Sequence, residues 1–332
     1  AKRASAYAAS AEPAKAIQDF DRLTAPGIPP ELASFAWLES ARMRRSAGNL
    51  QDMIVRYKGL LENIQDLNPK LQAEANYWIG QGLTKTNAAK DAVPYLEKAR
   101  SLRADTYAKH AGLLLTLGYF AAQDSKNLAK EIDLSIRDKY ASDIPDQVVQ
   151  WAGMQAYNAD DFAATTRFLN LVANPQEPRE TPKEVWRYLA KARLETGDAE
   201  GALTATANVL NVEDNPGWKA DGMLDRGRAL LALKRQAEAR TATDEALALR
   251  PQGRTNAGLR VLSGDLKLLD NDLPGAAAEY TIVVEFHDDK DLKPLALYKL
   301  IAILEKEKDP AGAEKCRRQL QAEFPAWHAP NP

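Results

Sequence analysis

The residue types that perform chemistry are few in this sequence and poorly spaced for it. His110, His287 and His328 lie far apart, and none belongs to an HxxxH pair or an HExxH motif. The lone cysteine, Cys316, excludes an intramolecular disulfide and any multi-cysteine metal site. Adjacent Arg317 and Arg318 would lower a thiol pKa, but no histidine is in register to act as a base, so a packed thiol is expected. Asp270-Asn271-Asp272 opens like a calcium loop, yet Pro274 and Thr281 stand where that loop needs ligands. The acidic stretch from Glu285 to Asp291 reads as a solvated join between helices. Phosphate-cradling glycine loops and a nucleophile elbow are absent, and Gly80-Gln81-Gly82 falls inside a helical pattern. The expectation is a non-enzymatic protein with no metal and no cofactor.

Composition narrows the partner class. The chain has 332 residues, 45% of them apolar, so a sizeable core is available. Charged residues make up 27% with a net charge of -2, and phosphate neutralisation needs a basic excess, so no nucleic-acid partner is expected. No apolar run reaches the roughly 18 residues of a membrane span. The opening AKRASAYAASAEPAKA lacks a signal-peptide core. Either an upstream signal or anchor has been removed, or the start is a chosen boundary. A periplasmic or cell-envelope location fits the first case, and the cytoplasm remains open.

The elements that must position any site repeat at one period. Ala202, Ala239, Ala276 and Ala313 are each 37 residues apart, and Gly153, Ala190, Gly227 and Gly264 follow the same step. Two series of small residues sharing a period indicate a stacked repeat architecture. Gly80 precedes Ala92 as Gly227 precedes Ala239, which carries the pattern toward the N-terminus, and Met53 and Ala16 extend it further. Each unit reads as helix A, a turn, and helix B. In one unit helix A spans roughly 218–233 and helix B 236–249. The turns hold Gly48-Asn49, Asn87, Asn158 to Asp160, Gly197-Asp198, Lys234-Arg235, Asn271 and Lys308 to Pro310, types that tolerate left-handed geometry or cap the next helix. Pro69, Pro145, Pro251 and Pro325 are expected to end units. Gly227 is expected to let helices A and B of its own unit approach closely. The fold class is all-α, with about nine stacked helix-turn-helix repeats. The domain reading is one solenoid over 1–332: a truncated first unit at 1–33, degenerate repeats at 34–145, regular repeats at 146–325 and a tail at 326–332.

Trp186, Leu189-Ala190, Gly197 and Ala202 together resemble the tetratricopeptide (TPR) family, as do Gly227, Leu230, Ala239, Ala246 and Pro251. Trp37 with Gly48, and Gly80 with Leu83, Ala92 and Ala99, extend the resemblance over nearly the whole chain. The step of 37 exceeds the family's usual repeat. The resemblance implies a right-handed superhelix whose A helices line a concave groove holding an extended peptide or partner helix. Its groove positions fall here at Arg42, Arg45, Tyr77, Lys85, Met154, Tyr157, Arg187, Lys191, Arg228 and Tyr298.

The leading functional reading is a scaffold for a protein or peptide partner, within a bacterial cell-envelope complex. The alternatives are a groove for a small molecule or glycan on a platform of Trp37, Tyr77, Trp78 and Tyr157, or an accessory domain of a larger enzyme. The basic groove residues lead to an expectation of an acidic, apolar ligand. They are also expected not to pack the repeats, so that Arg187→Glu with Arg228→Glu would leave the fold intact.

Overall fold

The computed structural model describes residues 1–10 and 12–329, and these form helices with no strand. The expected tail at 326–332 therefore lies partly outside the described residues. Contacts divide the chain into two compact units, Ala1–Gln155 and Ala156–Pro332. The first contains α1 (Lys2–Ala9), α2 (Pro13–Arg22), α3 (Pro30–Ser46), α4 (Leu50–Asn63), α5 (Pro69–Lys85), α6 (Ala89–Leu102), α7 (Ala104–Ala121) and α8 (Ser125–Arg137). A 3-10 turn at Ala141–Asp143 leads to α9 (Asp146–Asn158), which runs past the division. The second contains α10 (Phe162–Leu169), α11 (Lys183–Glu195), α12 (Ala199–Val212), α13 (Pro216–Ala232), α14 (Gln236–Ala248), α15 (Gly253–Leu269), α16 (Leu273–Phe286), α17 (Leu292–Lys306) and α18 (Pro310–Glu323).

One local device builds the A-to-B turns. Gly48, Asn87, Gln123, Asp160, Gly197, Lys234, Asn271 and Lys308 all take φ between 56° and 78°. This left-handed residue lets the next N–H reach back to the last turn of helix A, as in Asp198 N to Arg193 O at 2.8 Å and Asp272 N to Lys267 O at 2.9 Å. An Asx side chain then caps helix B: Asn49, Asp124, Asp161, Asp198, Asp272 and Asp309 each accept a backbone N–H of the first turn. Asp270-Asn271-Asp272 is one of these turns. Pro251 and Pro325 follow the ends of α14 and α18 as expected, but Pro69 opens a helix instead. Pro69 is the first residue of α5, and Pro30, Pro216 and Pro310 also lie at helix starts, where the missing N–H costs nothing.

In each unit, successive helices pack as pairs, and each pair shares its core with the next A helix. Leu38, Met53, Tyr57 and Ile79 join α3, α4 and α5. Leu230, Ala239, Leu259 and Leu262 join α13, α14 and α15. A unit that buries its apolar face only against a neighbour is the physical definition of a solenoid repeat. The small residues serve this stacking. A Cβ on Gly227 would lie 2.7 Å from Leu262 Cδ2, which belongs to helix A of the following repeat, and 3.3 Å from Thr243 Oγ1 in its own helix B. Gly227 therefore admits the next repeat as well as its own partner helix, correcting the within-unit reading. At Gly264 the close neighbour is the ring of Tyr280, in its own helix B. Cys316 is a half-buried thiol packed against the last core cluster, and burial pushes its pKa up.

Candidate functional site

The small-residue series supplies a common register for the A helices. Arg42 follows Ala41 as Gln81 follows Gly80, Lys191 follows Ala190, Arg228 follows Gly227 and Asp265 follows Gly264. Two positions before the small residue stand Glu39, Trp78, Trp151, Tyr188, Asp225 and Leu262, and one step after Leu262 stands Lys299, where Ile301 replaces the small residue. Six positions before it stand Glu74, Gln147, Glu184, Asp221 and Gly258. One repeat step brings these positions together across neighbouring A helices.

In the first unit, Arg42 on α3 grips Glu74 on α5 through two bonds, Nε to Oε1 at 2.8 Å and Nη2 to Oε2 at 2.7 Å. Its remaining Nη1 donates to Glu39 at 2.9 Å, and Tyr57 Oη also donates to Glu74. Burial works against the ionised form of Glu74, but the bonds from Arg42 outweigh it and pull its pKa down. Arg45 spreads its guanidinium 4.1 Å from the Trp78 ring centre. Tyr77 is buried, stacked on Tyr107 at 4.7 Å and edge-on to Trp78. Lys85 is exposed at the end of α5, and Met154 is half-buried on α9. Trp37 packs under Gly59 with Arg56 over its ring. It serves the interior rather than a platform with Tyr77, and Tyr157 belongs to the second unit.

In the second unit, Lys191 on α11 meets two carboxylates of α13, Asp225 at 2.8 Å and Asp221 at 2.9 Å. Lys191 and Asp221 are the register equivalents of Arg42 and Glu74. Asp225 is the addition, occupying the place of Trp78. Two repeats on, the Asp225 contact recurs with its charges exchanged, Asp265 accepting from Lys299 at 2.6 Å. Burial pushes the Asp225 carboxyl above its usual range, against the pull of Lys191. Burial alone would lower the Lys191 pKa; Asp225 and Asp221 outweigh it and raise it. Arg228 is the cation left without a strong partner. Its register mate one repeat on is Leu262, and its nearest approach to Asp225 Oδ1 is 3.8 Å.

Arg187 is engaged fully. It donates to Glu213 and Glu184 and lies 4.0 Å from the Trp218 ring centre. Glu213 is 1% exposed and also takes Lys183. Burial opposes its ionisation, yet bonds from Lys183 and Asn215 N keep its pKa below the usual value. Arg187 and Lys191 therefore do pack the repeats, contrary to expectation. The basic groove residues Arg42, Arg187 and Lys191 are neutralised by the chain's own acids, which also removes the basis for expecting an acidic ligand.

The structure brings Tyr157, Lys191 and Arg228 to one cavity of about 370 Å³, walled also by Glu195, Trp218, Asp221, Asp225 and Arg254. Trp218 is 49% exposed, and Tyr157 stands edge-on to Tyr188 at 4.9 Å. Tyr298 lies elsewhere, tilted against Trp327. Asp225 and Trp218 were missed as site residues. The signal for Asp225 was a carboxylate at a register position that is aromatic in three earlier repeats. The acidic join after α16 is used internally, with Asp289 and Asp291 both bound to Arg254. His287 is 3.2 Å from Asn256. Among the described residues no cluster suits a metal ion, and no helix is long and apolar enough to cross a membrane.

No family model matches this chain, and no curated protein matches it. Solved structures are similar to it at low identity. A tetratricopeptide repeat protein from Parabacteroides merdae is 11% identical over 92% of this chain and 96% of its own, with a TM-score of 0.37. Yeast Tom70 is 15% identical over 92% of this chain and 62% of its own, at 0.41. The apo form of the quorum sensor NprR from B. thuringiensis is 12% identical over 93% of this chain and 92% of its own, also at 0.41. The recurrent geometry of its own helix pairs makes this chain an all-α protein of stacked helix-turn-helix repeats.

Proposed function

We propose that the chain is a non-enzymatic interaction scaffold whose second unit holds a segment of a protein partner against α11, α13 and α15. The observation that carries this reading is the cavity at Trp218. A half-exposed indole in one cavity with Tyr157, ringed by charged side chains, offers the apolar anchor and polar rim of a recognition surface. Aromatic side chains give large contact area at little entropic cost.

The test uses the whole chain immobilised as bait in extract of the source organism, with wild type beside Trp218→Ser. Trp218 is partly exposed, so the variant should melt within a few degrees of wild type. Retention of a protein by wild type and its loss with Trp218→Ser is the expected result. Equal retention by both would move the working surface away from this face.

A further inference from the structure

The charge balance of the same cavity points to what its partner presents. Lys191 is shared by Asp221 and Asp225. Arg254 on the far wall is engaged by two carboxylates of the join after α16, so it offers no free positive charge. Glu195 lines the cavity, is exposed and makes no ion pair. The wall and its partners thus hold more carboxylates than cations, although the chain as a whole is near neutral.

One atom in this wall is independently incomplete. Asp225 is 2% exposed, and its Oδ1 is buried without accepting a hydrogen bond. Arg228, at 3.8 Å, is beyond hydrogen-bond distance. A buried carboxylate oxygen without a donor is costly, because its hydration is lost and nothing replaces it. Register neighbours avoid the cost, either with an aromatic side chain, as at Trp78 and Tyr188, or with a cation placed directly on its acid, as Lys299 is on Asp265. At this position no side chain of the structure supplies the donor.

Trp218 completes the chemistry. One face of its indole takes the Arg187 guanidinium at 4.0 Å, and much of the ring remains open to solvent. An indole face attracts cations through its quadrupole. Carboxylates in excess, an acceptor without a donor and an open indole select one kind of group.

Resting on the scaffold reading above, we infer that the cavity between α11, α13 and α15 takes a lysine or arginine side chain of a basic partner segment. The cation donates to Asp225 Oδ1 and Glu195, with its aliphatic stem along Trp218.

The test is fluorescence anisotropy of the full chain with three labelled nonapeptides. They share the same apolar residues and carry Lys, Gln or Glu at the alternate positions. The lysine peptide should bind at least tenfold tighter than the glutamine peptide, and the glutamate peptide weaker still, with the preference shrinking in high salt. Glu195→Gln and Asp225→Asn should each weaken the lysine peptide at least threefold. Glu307→Gln, an exposed carboxylate at the end of α17, should leave it unchanged. Glu195 is exposed, so its variant reports on binding even if Asp225→Asn disturbs the fold. Equal binding of the three peptides, preference for the glutamate peptide, no binding, or indifference to Glu195→Gln would each overturn the assignment. So would free spermidine competing as well as the peptide does, since that makes the site one for small amines. If the peptide series fails while Trp218→Ser still abolishes partner capture, the scaffold stands and only the cation assignment falls.

Discussion

Two pairs of neighbouring A helices, α3 with α5 and α11 with α13, carry the same ion pair at the same register and use it differently. Arg42 and Glu74 close on each other bidentately, with Tyr57 and Glu39 taking up the remaining capacity. Lys191 and Asp221 occupy the equivalent places, but Asp225 adds a second carboxylate where the first unit has Trp78. The first arrangement is a finished staple between repeats. The second has Lys191 shared by two anions, Arg228 held off at 3.8 Å, and a buried oxygen that accepts no hydrogen bond. A single residue type at one register position separates a structural contact from a site with chemistry left over. The guanidinium–indole stacks differ similarly. Arg45 only lies over Trp78, whereas Arg187 lies over Trp218 and also neutralises the buried Glu213.

The largest predicted effect breaks the second of these comparisons. Arg187→Glu sets a carboxylate against the buried Glu213 and should cost about 3–5 kcal/mol, the range for a broken buried pair. Urea unfolding of the variant measures it, and a loss below about 1 kcal/mol would mean that Glu213 finds Lys183 sufficient. Next, Lys191→Met removes the cation shared by two acids and should cost about 3 kcal/mol. Arg42→Met, at a more exposed guanidinium, should cost only about 1 kcal/mol after screening by solvent. Equal losses would dissolve the distinction between the two contacts.

Neutralising the acids sharpens the same contrast, because the signs differ. Glu74→Gln should destabilise by about 1–2 kcal/mol by weakening charge-assisted bonds. Asp225→Asn should be neutral or stabilising at neutral pH, since the folded chain disfavours that charge. The pH dependence follows from the direction of each shift. Asp225 has a raised folded pKa, so its ionisation penalty is absent below the unfolded value near about 3.9 and complete above the folded one. Glu74 has a depressed folded pKa, so its contribution is complete above the unfolded value near about 4.3 and is lost as pH falls through the folded one. The stability gap between wild type and Asp225→Asn should therefore close as pH falls from the raised folded value toward the unfolded one. The gap for Glu74→Gln should hold until about pH 5 and narrow only below it. Unfolding titrations across this range separate the two. A small cost is expected for Arg45→Ala, which loses a half-exposed stack and should cost about 0.5–1 kcal/mol by the same measurement.

The repeats were legible in the sequence because they are made of local rules. The 37-residue step, the left-handed turn at Asn87, Gly197 and Asn271, and the Asx caps at Asp198 and Asp272 each depend on a few neighbouring residues. Helix A of one repeat was placed at 218–233 and runs Pro216–Ala232, since the periodicity of small and apolar residues marks a helix wherever it packs. The groove positions implied by the family resemblance include Tyr157, Lys191 and Arg228, which line one cavity. What counting could not supply was the state of their charges. Whether Arg187 is a free cation or half of a buried pair depends on Glu213, which lies at the end of α12 and outside the A-helix register. Whether Asp225 is satisfied depends on Lys191 of α11 and on how closely Arg228 of its own helix approaches. Local chemistry fixes backbone form, because its hydrogen bonds close within a turn. The availability of a charge is set by desolvation and by partners one repeat away, and only the packed structure brings those together.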